Sequence, residues 1–174
     1  MAKAIVHTEE EIIRIRRAAQ VTAEVRDKIA NSIEAGMSTA QLDEIAAAYI
    51  AETGGTSAFL GYCGFPGNIC ISLNEVVVHG IRSADRIIRE GDIVSIDVGV
   101  RIDGAVGDTA RTVAVGEVSA DVKRLLAGTV EALDAGIAAC RVGNRVGLSV
   151  PLLRRVPINT VSELSGIMWG MDAE

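Results

Sequence analysis

Asp97 and Asp108 are the residues of this 174-residue chain whose type and spacing most directly offer chemistry. They stand in GDIVSIDVGVRIDGAVGDTART (91–112), where apolar residues on both sides of Asp103-Gly104 predict two β-strands joined at a tight turn. Asp-Gly supplies the positive φ angles that a two-residue hairpin loop needs. With Asp103 and Gly104 as the loop, Asp97 faces Ala110 and Asp108 faces Gly99, which makes the two carboxylates diagonal neighbours on one face. Diagonal Cα atoms lie about 7–8 Å apart, close enough for two short side chains to converge on one or two cations. Bare carboxylates among Ile93, Val94, Ile96, Val98 and Val100 are costly to bury, and a divalent cation between them removes that cost. The competing reading is that both aspartates cap strand ends or face water.

Other side chains with chemical potential are few. The only histidines are His7 and His79, so any metal site must be rich in carboxylate or incomplete. His79 ends an apolar run, where a hydrogen-bonded structural histidine competes with a catalytic one. Cys63, Cys70 and Cys140 are odd in number and lack zinc-ligand spacing, which fits reduced thiols better than a disulfide framework. Aromatic residues make up 3% of the chain, yet Phe59, Tyr62 and Phe65 share one glycine-rich loop, TSAFLGYCGFPGN (56–68). That concentration fits a pocket wall, or alternatively a plug at the sheet edge.

The elements that position these residues follow from periodicity. Thr8 with Glu11 forms a capping box, and Ile12, Ile15, Ala19, Thr22, Val25, Ile29 and Ile33 predict an amphipathic helix up to Gly36. Ser38 with Gln41 repeats the signature, and Leu42, Ile45, Ala46, Tyr49 and Ile50 predict a second helix that stops at Gly54-Gly55. These two helices are expected to cover one face of a sheet. A strand is expected within ICISLNEVVVHGI, and Val113 to Gly116 is expected to close the sheet. Ser119 to Arg141 predicts a third helix with Val122, Leu125, Leu126, Leu133, Ile137 and Cys140 inward.

The 49% hydrophobic content suits one globular domain, and the predicted helices and strands make it one compact unit of α/β (α+β) class through about Gly147. The formal charge of −6 and pI near 5.0 argue against a general nucleic-acid-binding surface; Arg14, Arg16 and Arg17 read as a solvated helix edge. No run reaches the roughly 18 apolar residues that span a bilayer, and the N-terminus lacks an apolar core before its charges, so a cytoplasmic location is expected.

Tyr62 with GFP (64–66), NICISLNEVVVHGI (68–81), GDIVSIDVGVRIDGAVGDTARTVAVG (91–116) and the EALDAGI helix (131–137) resemble, in order and spacing, the type I methionine aminopeptidases of the pita-bread metallopeptidase fold, family M24. Four linked motifs in register are far more specific than any one of them. The resemblance spans roughly residues 8–147. It implies the N-terminal half of a pita-bread fold, an antiparallel sheet with two N-terminal helices and a third helix. It implies removal of the initiator methionine from nascent chains with two divalent ions, cobalt, manganese, iron or zinc. Asp97 and Asp108 are then metal ligands, Asp108 bridging both ions. His79 becomes catalytic, hydrogen-bonding the substrate near the scissile amide; Phe59, Tyr62, Phe65 and Cys70 line the methionine pocket; and Asn74 lies by a monovalent cation. The implied partners are nascent peptide N-termini presented at the ribosome, with a monomeric protein, no membrane and no specific nucleic acid. Cys63 and Arg82 depart from the family, standing where members often have a basic residue and a proline.

The resemblance also implies a histidine in a Gly-His-Gly motif and two later glutamates, none of which the chain contains. Residues 148–174, with Pro151 and Pro157 where the family begins a helix, read as an aberrant tail after a family-like domain over 1–147. A reading-frame shift accounts for it: Met168-Trp169-Gly170-Met171, read one base earlier, encodes Val-Gly-X-Gly with X His, Tyr, Asn or Asp. The alternative is an unrelated extension. Two of five ligands should bind a divalent ion weakly and leave the chain inactive, with the sheet face and edge exposed. An Xaa-Pro peptidase-like relative and a non-enzymatic interaction module of the same fold are the alternatives in function.

Overall fold

The computed structural model describes residues 6–144 of the chain. They divide into two compact units at Glu117/Val118. In the first, α1 (Glu9–Asn31) and α2 (Thr39–Glu52) precede β1 (Thr56–Ser57), a single 3₁₀ turn at Tyr62–Gly64, β2 (Cys70–Leu73), β3 (Ile93–Ile102) and β4 (Ala105–Ala114). Both predicted capping boxes form: Thr8 and Glu11 bond each other reciprocally at the start of α1, as do Ser38 and Gln41 at α2. Each reciprocal pair satisfies orphan N–H groups of the first turn. Helix α1 ends not at Gly36 but at Asn31, where the Ser32 hydroxyl donates to the Lys28 carbonyl at 2.9 Å and the Ser32 N–H donates to that of Ile29. Gly36 instead holds a left-handed φ of 95° in the turn that follows.

Strand β3 is the axis of an antiparallel sheet. Strand β4 pairs along its whole length, from Ile93↔Ala114 to Ile102↔Ala105, which is the register expected from the Asp103-Gly104 loop. On the other edge, β2 pairs with Val94 to Asp97 and β1 with Val100 and Arg101. Side chains alternate across a strand, and here the alternation separates structure from chemistry. Val94, Ile96, Val98 and Val100 point to one face, where with Ile69, Ile71 and Leu73 they meet Val25, Ile29, Leu42, Ala46 and Ile50 of the helices. Gly107 of β4 lies so close to Thr22 and to the Ala18 carbonyl that a Cβ there would overlap both. The N-terminal part of α1 extends beyond this contact, and Ile12, Ile13 and Ile15 are exposed; Ala18 rather than Ala19 is buried.

The apolar run after Asn68 is a strand only to Leu73. Asn74 adopts φ 51° and turns the chain, its amide donating to Asp92 at 2.9 Å and accepting from the Ile93 N–H at 3.0 Å. Asparagine tolerates this conformation because its short polar side chain bonds locally. Val77 and Val78, expected in a strand, lie exposed in the loop beyond.

The second unit contains α3 (Ala120–Ala139), capped by the Ser119 hydroxyl on the Val122 N–H. Ala132 and Gly136 are its buried residues, whereas Leu133, Ile137 and Cys140, expected inward, are exposed. Periodicity identifies a helix's apolar face but not whether a partner layer covers it. The proposed tail, 148–174, lies outside the described residues. Among the described residues no helix is long and apolar enough to cross a membrane.

Candidate functional site

The face of β3 opposite the core carries Ser95, Asp97 and Gly99. Asp97 pairs with Cys70 of β2 on one side and Ala110 of β4 on the other, and Gly99 pairs with Asp108. The two aspartates are therefore diagonal on one face, as the hairpin loop predicts. Gly99 makes room between them: a Cβ there would lie 2.5 Å from Cε1 of Phe59, whose ring occupies that space. The aromatic loop is hung over the sheet by Ser57, whose hydroxyl donates to the Asn68 carbonyl at 2.6 Å and accepts the Phe59 and Leu60 N–H groups.

From the other direction, the loop after β2 folds back over its own strand. The Ile71 N–H donates to the Gly80 carbonyl at 2.9 Å and the Gly80 N–H to the Ser72 hydroxyl at 3.1 Å. The approach is so close that a Cβ on Gly80 would overlap the Ile71 carbonyl. His79 beside it holds φ 57°, an uncommon conformation outside glycine that concentrates at functional positions.

These elements enclose a cavity of about 520 Å³. Its walls include Phe59, Tyr62, Phe65, Cys70, His79, Asp97 and Asp108, so every residue expected of the site except Asn74 faces one space. Asn74 is engaged instead in the turn with Asp92 and Ile93. The phenylalanines are half-buried and Tyr62 is exposed, an arrangement of wall rather than core plug. The departure Cys63 also lines the cavity, again with positive φ, 48°.

The electrostatics of the pair are those of two acids forced together. Burial first, then the charge and hydrogen-bonding reach of Asp108, push the Asp97 carboxyl up to about 6, with His79 pulling it down. Oδ1 of Asp97 is buried and has no hydrogen-bond partner. Two adjacent carboxylates cannot both ionise cheaply, and either a shared proton or a cation relieves them. The pair with its orphaned oxygen fits a divalent cation, although among the described residues no third His, Cys, Asp or Glu joins it in a cluster able to hold one. The Cys70 thiol, beside Asp97, is pushed up to about 11 by burial and by the charges of Asp97, Asp108 and Asp43.

The profile of metallopeptidase family M24 matches residues 13–155. The chain belongs to this family. Divalent-metal use comes with that membership. A methionine aminopeptidase of Clostridium acetobutylicum is 38% identical over 142 residues, which is 82% of this chain and 57% of the relative. The crystal structure of methionine aminopeptidase from Thermotoga maritima superposes with a TM-score of 0.84 at 29% identity, covering 92% of this chain and 63% of that one. An Xaa-Pro dipeptidase from Bacillus anthracis superposes with a TM-score of 0.75 at 25% identity, covering 91% and 42%. The chain thus spans little more than half the length of the curated methionine aminopeptidase it matches.

One residue that sequence reading passed over bears on the cavity. Asp43 on α2 is 1% exposed and accepts from the Asn68 N–H at 2.7 Å, the Asn68 side-chain amide at 2.8 Å and the Ile69 N–H at 3.1 Å. A signal for it was present: an acid directly after Leu42, on the helix face that Ala46 and Ile50 continue.

Proposed function

We propose that the site is that of a methionyl aminopeptidase, an enzyme that removes the initiator methionine from nascent chains. The supporting observation is the meeting, in one cavity, of the Asp97/Asp108 pair with an aromatic and thiol-lined wall. Such a wall suits an unbranched thioether, because sulfur contacts aromatic rings favourably. Asp97 and Asp108 would both hold divalent ions of the cobalt, manganese, iron or zinc kind. The chemistry a divalent pair supplies when bound is activation of a water and polarisation of the peptide carbonyl. His79, on its left-handed backbone, aims its imidazole at the substrate near the scissile amide. Phe59, Tyr62, Phe65 and Cys70 exclude water from the methionine side chain. Asn74 contributes to a monovalent cation site next to the Asp92 turn.

The natural partners on this reading are nascent peptide N-termini at the ribosome, met by a monomeric cytoplasmic protein. Because two carboxylates alone leave most metal positions to water, the 174-residue chain is expected to bind divalent ions weakly and to be inactive as it stands. Its family-like domain is taken to span 1–147, with 148–174 a frame-shifted tail.

Xaa-Pro cleavage is the second reading, favoured by the Bacillus anthracis relative's fold. Equilibrium dialysis of Met-Ala-Ser against an Xaa-Pro peptide, with manganese present, separates the two. Preferential retention of the methionyl peptide, lost on Asp97→Asn, supports the methionine reading; preference for the Xaa-Pro peptide overturns it. Release of free methionine by the chain alone would overturn the expectation of inactivity.

A further inference from the structure

A carboxylate as deeply buried as Asp43 requires partners, and each of its partners is a near neighbour in sequence of residues that line the cavity. Asn68 and Ile69 connect Phe65 and Pro66 to Cys70. The remaining partner is Arg82, whose Nε lies 3.4 Å from Oδ2 of Asp43 and donates to the Pro66 carbonyl at 3.3 Å. Arg82 follows His79 by one helical-turn length of chain, in a segment that is neither helix nor strand. Segment 65–69 is equally without regular structure. Carboxylate and guanidinium therefore join two irregular segments that between them carry Phe65, Pro66, His79 and Ile81 of the cavity.

There is little slack in the join. A Cβ on Gly67 would lie 3.2 Å from the Phe65 ring and 3.3 Å from Oδ1 of Asp43, so the loop backbone is pressed onto the carboxylate. The resemblance to the type I methionine aminopeptidases implies a proline in the place of Arg82. A proline would stiffen its own segment but could not donate across to the other wall. Arginine supplies that missing link through a side chain, because its Nε donates to the Pro66 carbonyl while lying within ion-pair distance of the Asp43 carboxylate.

Building on the reading of this cavity as a methionyl-substrate site, we propose that Asp43 and Arg82 are a positioning pair that fixes the distance between the aromatic wall and His79. Neither residue touches substrate; each acts through the loop it holds. The test needs no metal and no turnover, so its outcome is independent of whether the aminopeptidase reading stands. In the full chain, Asp43→Asn, Arg82→Met and Arg82→Lys are compared by two local readouts. The first is the rate at which Cys70 reacts with an aromatic disulfide reagent at fixed pH, followed by peptide mass spectrometry. The second is the ring signal of His79 in histidine-labelled protein, for which His7 is the only other histidine and serves as control.

Arg82→Met is expected to speed Cys70 labelling on the order of tenfold, the loss of a charge-assisted hydrogen bond read as a local opening, and Asp43→Asn to do so beyond the gain that removing the Asp43 charge from the thiol gives by itself. Both should move the His79 signal and leave that of His7 in place, while Arg82→Lys, which keeps a cation beside Asp43, stays near the wild-type rate. A lowered Tm with Cys70 rate and His79 signal unchanged would mean that the pair only stabilises the fold, and overturns the proposal. If Asp43→Asn does not fold, Arg82→Met decides alone: unchanged readouts in that variant overturn it too.

Discussion

Neutralising Asp97 should change how stability depends on pH in a way that isolates this one carboxyl. Its value in the folded chain is about 6 against an ordinary 3.8, raised first by burial and then by Asp108. Between those values the folded chain keeps a proton that the unfolded chain has released, so stability falls as pH rises through the window and levels off above about 6. At about 1.4 kcal/mol per pH unit the whole effect is at most about 3 kcal/mol. Asp97 is only half-buried, and screening by solvent brings the expected figure to about 1–2 kcal/mol. Urea unfolding of the wild type and of Asp97→Asn, with a chelator present, should therefore give similar stabilities near pH 4. Near pH 7 the variant should be more stable by that amount. Parallel pH profiles for the two proteins would refute the reasoning, because they would mean that Asp97 is not strained against Asp108.

Two glycine substitutions test the packing around the site. Gly99→Ala should displace the Phe59 ring and cost about 1–3 kcal/mol in urea unfolding, together with loss of methionyl-peptide retention. Gly107→Ala meets the fixed Ala18 carbonyl rather than a mobile ring, and should cost about 3 kcal/mol by separating α1 from β4, without altering the cavity face directly. A thermal melt in which Gly107→Ala is no less stable than wild type would contradict the close approach of helix and strand.

Much of the site was legible because β-structure has a period of two. Once Asp103-Gly104 is read as the loop, register follows without further information, and the observed Asp97↔Ala110 and Gly99↔Asp108 pairs are its consequence. The capping boxes were legible for a similar reason, since the pairing of Thr8 with Glu11 and of Ser38 with Gln41 is local in sequence. Features that depend on distant partners were not. The apolar run through Val76, Val77 and Val78 has strand composition, but Asn74 finds Asp92 and Ile93 and turns the chain out of the sheet. Ile12 and Ile15 have the right helical spacing, yet the sheet does not reach them. Asp43 was passed over because its partners, Asn68, Ile69 and Arg82, lie 25 or more residues away. The bond from Arg82 to the Pro66 carbonyl likewise exists only in the folded chain.

Isothermal titration of manganese into the purified chain, beside Asp108→Ala, tests most directly whether the carboxylate pair is a metal site. A two-carboxylate site should give saturable binding with Kd on the order of 10⁻⁴–10⁻³ M, abolished in the variant. Absence of saturable binding in the wild type, or an affinity that Asp108→Ala leaves unchanged, would contradict it.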